Sequence, residues 1–331
     1  MTSAAVAARR FMQVDVFTSR PYVGNPLAVV VDGEGLTTGQ MQAFANWTNL
    51  SETTFLLPAQ SPEADYRVRI FSPGRELPFA GHPTLGSCHA WLKAGGRPRG
   101  EQIVQQCEVG LIPIRRFADR LWLSATPRVR SGPLDAGELE HIARGLRIPK
   151  QAIRGHAWCD NGPAWRGVLL DSAEQVLALE PDAAMLAGLD IGVAGPRAKV
   201  GVVAPNRSDD RFDLEVRAFF TAGGSLREDP VTGSLNAALA QWLIGAGVLP
   251  KRYVARQGTR LGRDGRVHIE QTGPDTTWVG GDCVECVSGE VRIADRAPGE
   301  ACRATPHRTG GDTSGSRVRQ RRRARPPTRR R

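Results

Sequence analysis

Two stretches of the chain share one pattern of apolar and polar residues. The first has a strand-like alternation over residues 65–71, a turn rich in Pro and Gly, and a helix predicted over residues 83–94. The second passes from residues 214–219 through a Gly-containing turn to a helix predicted over residues 231–244. Because the backbone N–H groups at a helix start lack partners, each turn predicts a place where an anionic group can bind.

The two stretches align as copies of one unit. Residues 66–71 match residues 214–219, and the series from His82 to Ser87 matches the series from Asp229 to Ser234, with a polar residue, a proline and then Gly-Ser. We therefore predict two related domains with a site between two helix starts.

The rest of the chain contains more predicted strands than helices. Apolar runs at 13–17 and 27–31 flank a turn and predict a hairpin. Because strands and helices do not alternate regularly, the pattern favours an α+β fold over a doubly wound parallel sheet. Further strands are predicted at 54–57, 103–104, 109–114, 121–123, 165–170, 199–204, 256–269 (a pair around a glycine turn), 277–281 and 284–293, and further helices at 39–47, 135–145 and 181–188.

Charge is concentrated at the carboxyl end. Residues 294–331 hold 12 of the 44 basic residues and 3 of the 34 acidic ones, which leaves a net charge of +1 for residues 1–293. We predict an N-terminal domain over 11–126, a C-terminal domain over 127–293 whose last strands can return to the first, and a disordered Arg-rich tail over 294–331. No aromatic residue interleaves the arginines of the tail, so a solvated extension is favoured over a nucleic-acid-binding arm.

The composition also bears on the compartment. The six cysteines are too scattered for a disulfide framework. No stretch is long and apolar enough to cross a bilayer, and no signal peptide is evident at the start of the sequence. We expect a cytoplasmic protein that makes no contact with membranes.

Candidate chemistry gathers at the two predicted helix starts. His82, Asp229 and Ser234 lie there, and Glu52 comes from a loop beside a predicted strand. From its local sequence alone Glu52 is more typical of an exposed glutamate. Buried between two domains, its pKa would rise and it could act as both base and acid near neutral pH.

Metal and thiol chemistry are weaker alternatives. His82 and His89 are about 10 Å apart along a helix, too far to share an ion. Zinc at Cys283, Cys286, Cys302 and His307 is disfavoured because the first two lie in a predicted strand. Cys88 is more typical of a buried core residue than of a nucleophile, and no phosphate-binding loop is present. We therefore predict neither a metal nor a cofactor.

The motifs resemble the PhzF-like (phenazine biosynthesis-like) isomerase/epimerase family, which has the diaminopimelate epimerase fold. The resemblance spans residues 11–293. The most specific matching runs are Asn49-Leu50-Ser51-Glu52-Thr53-Thr54-Phe55, Glu76-Leu77-Pro78-Phe79-Ala80-Gly81-His82-Pro83-Thr84 and Glu228-Asp229-Pro230-Val231-Thr232-Gly233-Ser234.

The resemblance implies two pseudo-symmetric domains, each of strands wrapped around a central helix. It implies a proton-shuttling Glu52 with His82 and Asp229 as further catalytic residues. The residues expected to bind the substrate are Ser234, Gly81, Gly233, Thr232 and Pro83. Racemase relatives carry cysteines near both helix starts; this chain has none there, which argues against a two-thiol racemase.

The expected function is a cofactor-independent isomerase that shifts a double bond in a small unsaturated carboxylic acid, in secondary metabolism such as antibiotic biosynthesis. A non-catalytic binding protein of the same fold and an epimerase of an amino-acid-like substrate remain alternatives. Residues 220–227 depart from the usual family sequence, so the substrate stays open. We also expect a homodimer.

Overall fold

A computed structural model describes residues 7–117, 120–197, 211–222, 224–274 and 276–293. Within these residues the chain forms seventeen strands and five α-helices. The helices are α1 (Thr38–Thr48), α2 (Gly81–Lys93), α3 (Ala136–Gly145), α4 (Ala173–Ala178) and α5 (Gly233–Gly245). The strands are β1 (Ala8–Val16), β2 (Asn25–Val30), β3 (Thr53–Leu57), β4 (Tyr66–Ser72), β5 (Arg75–Leu77), β6 (Ile103–Cys107), β7 (Gly110–Phe117), β8 (Arg120–Ser124), β9 (Gly155–Asp160), β10 (Ala164–Leu169), β11 (Ile191–Pro196), β12 (Leu214–Ala222), β13 (Ser225–Asp229), β14 (Arg252–Gln257), β15 (Gly265–Gln271), β16 (Thr277–Gly281) and β17 (Cys283–Arg292).

The strand pairing repeats itself along the chain. In the first half β1–β2 is antiparallel, β2–β3 parallel, β3–β4 and β4–β5 antiparallel, β4–β6 parallel, and β6–β7 and β7–β8 antiparallel. The strands β9 to β16 follow the same series of pairings in the same order. Helix α1 precedes β3 as α4 precedes β11, and α2 follows β5 as α5 follows β13. The fold is therefore an α+β duplication of the diaminopimelate epimerase type.

The alignment predicted for the helix starts is wrong by five residues. Phe71 pairs with Glu76 in the first hairpin, and Phe219 pairs with Glu228 in the second. The N-cap residues Ala80 and Thr232 are then equivalent, each followed by a helix of 13 residues. The repeated motif is therefore Arg-Glu-x-Pro-x-x-Gly, and Ser234 is the equivalent of His82. The predicted alignment of the strands, residues 66–71 with 214–219, is confirmed.

An Arg–Glu ion pair occupies the same position in each copy, half-buried in the first and largely buried in the second. Arg69 binds Glu76 through two hydrogen bonds of 2.7 and 2.6 Å, and Arg217 binds Glu228 through two of 3.0 and 2.8 Å. Each guanidinium also lies over the ring of the phenylalanine two residues later. The distance from the guanidinium carbon to the ring centre is 5.1 Å for Arg69 and 4.8 Å for Arg217. Such two-point pairs fix geometry as well as charge, so each one holds together the two strands of its hairpin.

Each half surrounds one helix. In α2 the side chains of Leu85, Cys88 and Ala90 are fully buried, and α5 buries Leu235 and its neighbours in the same way. The helices contact strands on several sides, α2 against β1, β2, β3 and β8 and α5 against β9, β15 and β16. A helix that is apolar or small on nearly every side is stable only inside such a shell.

Several predicted elements need correction. Residues 181–188 form turns and no helix, because the hydrogen bonds of Leu186 and Leu189 close single turns only. The strands β5, β9, β11 and β13 and the short helix α4 were not predicted, and β5 and β13 lie where turns were expected. The predicted strand at 199–204 and the tail at 294–331 lie outside the described residues. The last strand, β17, pairs antiparallel with β1, while β8 pairs with β16. The division into domains at residue 126 stays a prediction.

Candidate active site

The site is built where the starts of α2 and α5 meet. A Cβ atom added to Gly81 would lie 3.9 Å from the Cα of Gly233, and one added to Gly233 would lie 3.7 Å from the backbone nitrogen of His82. In the described chain, neither N-cap residue caps its helix with a side chain. Two helix starts with free N–H groups and no Cβ between them form a compact place for a carboxylate.

Glu52 reaches this place from the loop between α1 and β3. Its Oε2 atom lies 3.4 Å from Nε2 of His82. Both atoms are inaccessible to solvent, and neither has a hydrogen-bond partner among the described residues. Buried polar atoms normally have partners, so these two atoms can form hydrogen bonds to each other or to a molecule between the helix starts.

Asp229 approaches from the end of β13. Its carboxylate accepts hydrogen bonds from Nδ2 of Asn25, at 3.2 Å, and from the hydroxyl of Thr232. The amide nitrogen of Gln257 donates to the same hydroxyl and to the carbonyl of Asp229, at 2.9 and 3.1 Å. Because Asn25 lies on β2, this network joins the two halves of the duplication directly at the site.

The three ionisable side chains have displaced pKa values. Burial raises the pKa of Glu52 to about 8, and the negative charge of Asp229 adds to the rise. Burial raises the pKa of Asp229 to about 6, although the hydrogen bonds from Thr232 and Asn25 oppose it. Burial lowers the pKa of His82 to about 3.

These values assign a protonation state to each group. At neutral pH His82 is uncharged, so its contact with Glu52 is not an ion pair. Asp229 is mostly ionised, while Glu52 exists as a mixture of carboxylic acid and carboxylate. A pair of carboxyl groups with separated pKa values is typical of a site in which one group transfers protons and the other holds charge.

The remaining predicted residues line the same place. The hydroxyl of Ser234 accepts a hydrogen bond of 3.1 Å from the indole of Trp165, and its carbonyl accepts one of 2.9 Å from Asn161. The hydroxyl of Thr232 donates its hydrogen bond to Asp229. Pro83 is buried in the first turn of α2, where its lack of an N–H group costs nothing.

Sequence reasoning missed four residues that support the site: Asn25, Asn161, Trp165 and Gln257. Asn25 lies in the run Gly24-Asn25-Pro26 and Gln257 in the pair Gln257-Gly258, which also resemble the family. The structure adds that both polar side chains are buried. Trp165 and Asn161 lie on the β9–β10 hairpin, of which only β10 was predicted, so no local signal pointed to them.

Other candidates do not join this group. Cys88 is fully buried in α2, and burial raises the pKa of its thiol to about 12. Among the described residues no cluster of three or more His, Cys, Asp or Glu side chains could hold a metal ion; Cys302 and His307 lie outside them.

None of the described helices has the length and apolar character needed to span a membrane.

The fold is of the diaminopimelate epimerase type, and comparison with known proteins identifies the family. The sequence model of the family described as phenazine biosynthesis-like protein matches residues 14–289. The chain therefore belongs to this family, and with it to the isomerases.

Relatives and solved structures agree with this assignment. The chain is 33% identical over 298 residues to Antisense-enhancing sequence 1 of Schizosaccharomyces pombe, covering 86% of this chain and 98% of that protein. It is 31% identical over 284 residues to a trans-2,3-dihydro-3-hydroxyanthranilate isomerase of Pseudomonas aeruginosa, covering 80% and 91%. A PhzF-family crystal structure from Enterococcus faecalis superposes with a TM-score of 0.71 at 23% identity, over 87% of this chain and 100% of that one.

Proposed function

We propose that this protein is a cofactor-independent isomerase that shifts a double bond within a small, cyclic, unsaturated carboxylic acid. The observation that carries the proposal is the state of Glu52. Its Oε2 is buried and without a hydrogen-bond partner in the described chain, it points at the meeting helix starts, and its pKa of about 8 allows it to accept and to return a proton near neutral pH.

In the proposed reaction, the carboxylate of Glu52 takes a proton from an sp3 carbon next to the conjugated system. The negative charge spreads over the substrate toward its carboxylate, where the N–H groups at Gly81, Gly233 and Ser234 stabilise it. Protonated Glu52 then delivers a proton to another carbon on the same face, and in part of the turnovers its carboxylic proton first exchanges with solvent. No atom is gained or lost, and no redox partner is needed.

His82 and Asp229 have separate roles in this scheme. Neutral His82, 3.4 Å from Oε2, keeps the carboxyl group of Glu52 turned toward the substrate. Ionised Asp229 accepts hydrogen bonds from an amino or hydroxyl group of the substrate, as it accepts them from Asn25 and Thr232. Its charge also keeps the pKa of Glu52 high.

The test is solvent deuterium exchange. The purified protein is incubated in heavy water with trans-2,3-dihydro-3-hydroxyanthranilate, the compound in the name of the Pseudomonas aeruginosa relative, and with conjugated cyclic and pyrroline carboxylic acids. We expect one acid to gain deuterium at a ring carbon and to change its ultraviolet spectrum. Absence of exchange with every acid would favour a non-catalytic binding protein of the same fold.

The residue assignment has its own control. Replacing Glu52 by Gln keeps the shape and removes the base, and we expect at least a hundredfold loss of exchange. Register places Asp190 at the position equivalent to Glu52, because Thr53 pairs with Phe71 as Ile191 pairs with Phe219. The variant Asp190→Asn should retain most activity. Full activity in Glu52→Gln would show that the shuttle is another group.

The wider setting is also proposed. We propose a homodimer in the cytoplasm, a role in secondary metabolism such as antibiotic biosynthesis, and no dependence on nucleic acid. A monomer mass by light scattering at micromolar concentration would refute the dimer. If the exchanging acid proved to be an amino-acid-like substrate inverted at one carbon, the epimerase alternative would replace the double-bond shift.

A further inference from the structure

The second hairpin, β12–β13, extends farther than its counterpart β4–β5. From Phe71 to its partner Glu76 the chain covers 5 positions, whereas from Phe219 to its partner Glu228 it covers 9. The extension adds the cross-strand pairs Thr221 with Leu226 and Ala222 with Ser225. In addition, Phe220, the partner of Arg227, stands where the first hairpin has Ser72, the partner of Arg75. The two copies of the repeat therefore differ in the length of the hairpin that carries Asp229.

The extension is anchored on one face. Side chains alternate along a strand, so Phe219, Thr221 and Leu226 share the face that turns away from Asp229. The hydroxyl of Thr221 accepts a hydrogen bond of 2.8 Å from the backbone nitrogen of Gly188, and Leu226 packs against the core cluster that contains Phe219. These contacts hold the hairpin in place, so its other face is presented at a fixed position.

That other face carries Phe220 and Arg227 beside the site. By the same alternation, Arg227 and Asp229 lie on one side of β13, with their Cα atoms about 7 Å apart. Phe220, opposite Arg227, is partly buried against the central core. Arg227 is exposed, and no carboxylate of the described residues forms an ion pair with it. An exposed guanidinium and an aromatic side chain that are cross-strand partners, next to a site for acids, suit an anionic group on a flat molecule.

We propose that Arg227 and Phe220 form a second subsite, which binds an additional anionic group of a cyclic substrate. This inference rests on the proposed function, because it assumes that the first carboxylate is held at the helix starts. It narrows the substrate class to acids with two anionic groups, of which one lies away from the reacting carbons. Arg227 is here a specificity-determining residue and takes no part in the proton transfer.

The chain offers a matched control for this subsite. Arg75 occupies the position in the first hairpin that Arg227 occupies in the second, since Glu76 and Glu228 are equivalent. It is also exposed, but its cross-strand partner is Ser72 and the shorter hairpin ends there. Arg75 therefore has the same charge and strand position without the aromatic partner.

The experiment compares three ligands with one ring: benzoate, benzene-1,3-dicarboxylate and benzene-1,4-dicarboxylate. Their dissociation constants are measured by calorimetry with the full-length protein at low and at physiological salt. We expect one dicarboxylate to bind about tenfold more tightly than benzoate, as one exposed charge-assisted contact provides. Arg227→Gln should remove this preference and leave the affinity for benzoate unchanged. Arg227→Lys should keep part of it, and Arg75→Gln should keep all of it.

The outcomes separate the two proposals. The subsite is refuted if neither dicarboxylate binds more tightly than benzoate, if the preference survives Arg227→Gln, or if Arg75→Gln abolishes it equally. These are binding measurements, so they do not depend on turnover. A protein that prefers dicarboxylates through Arg227 but exchanges no proton would refute the isomerase alone.

Discussion

Oε2 of Glu52 lies 3.4 Å from Nε2 of His82, and neither atom has a hydrogen-bond partner in the described part of the chain. The two residues are 30 positions apart and come from different elements. Burial raises the pKa of the carboxyl group to about 8 and lowers that of the imidazole to about 3. At neutral pH His82 is therefore uncharged, and Glu52 is mostly a carboxylic acid with a fraction of carboxylate, which suits proton transfer. Ionising this buried carboxyl group costs stability.

The cost of ionising the buried carboxyl group predicts that Glu52→Gln gains stability over the wild type in a pH-dependent way. A glutamate in the unfolded chain loses its proton near pH 4.5, whereas Glu52 in the folded protein keeps it until about pH 8. Folded protein thus binds the proton more tightly, and wild-type stability falls as the pH rises through this window. The unfolding free energy of Glu52→Gln minus that of the wild type should therefore be larger at pH 9 than at pH 5, by up to a few kcal/mol.

Urea denaturation at pH 5, 7 and 9 measures this difference. The exposed residue Glu63 offers a control, since Glu63→Gln removes a carboxylate that is not buried. An equal change of unfolding free energy at all three pH values would show that Glu52 is not the group that titrates.

The hydroxyl of Thr232 is predicted to set the acid limb of the activity profile, meaning the steep fall below about pH 6 where Asp229 is protonated in addition to Glu52, whose pKa is about 8. It donates to Oδ2 of Asp229 and so holds the pKa of that carboxyl group down against burial. In Thr232→Val the pKa of Asp229 should rise above about 6, and the acid limb should move to higher pH by up to about one unit. Thr232→Ser keeps the hydroxyl and should keep the profile.

The rate of deuterium exchange from pH 5 to pH 9 gives both profiles. The variant Thr232→Val also leaves the side chain of Gln257 without one acceptor, so its thermal stability is measured alongside. Identical acid limbs in the Val and Ser variants would contradict the role of this hydrogen bond.

Gly81 is predicted to be required for binding and not for folding. A methyl group at this position would meet nothing nearer than the Cα of Gly233 at 3.9 Å. Alanine also favours a helix over glycine by about 0.5–1 kcal/mol, so Gly81→Ala should fold with equal or higher stability. The methyl group nevertheless occupies space between the helix starts, and the KM of the acid should rise about tenfold or more.

Gly100→Ala is the control, because nothing lies within 4 Å of the added Cβ and the residue is far from the site in sequence. Thermal melting and steady-state kinetics are compared for both variants. An unchanged KM in Gly81→Ala would mean that the acid does not bind between the helix starts.

The Arg-rich tail is predicted to be dispensable for catalysis. The candidate site uses only residues before 293, whereas the tail holds the excess positive charge of the chain. A protein truncated after Ile293 should retain its turnover at physiological salt and lose any salt-sensitive binding to DNA, since such binding depends on neutralised phosphates. Turnover and DNA binding are measured for the full-length and for the truncated protein. A folded truncated protein with most of its activity lost would refute the prediction.

Local sequence determined a large part of this protein. The alternation at 66–71 and 214–219 predicted two strands, the turns and prolines predicted the starts of two helices, and the shared pattern predicted a duplication. The resemblance carried by the Glu52 and Gly81-His82 motifs predicted the family. These features depend on backbone preference and on side-chain periodicity, which act over a few residues.

Only the tertiary structure decided the register and the chemistry. Pro78 and Pro83 both lie near the start of α2, and either can be aligned with Pro230. The pairing of Phe71 with Glu76 and of Phe219 with Glu228 shows that Pro78 is the equivalent one. Glu52 has the local sequence of an exposed glutamate. It gains its pKa because the folded chain takes it out of water beside Asp229, 177 positions further along. Desolvation and Coulomb interaction depend on distance in space, and for that reason sequence alone could nominate Glu52 but could not give it a function.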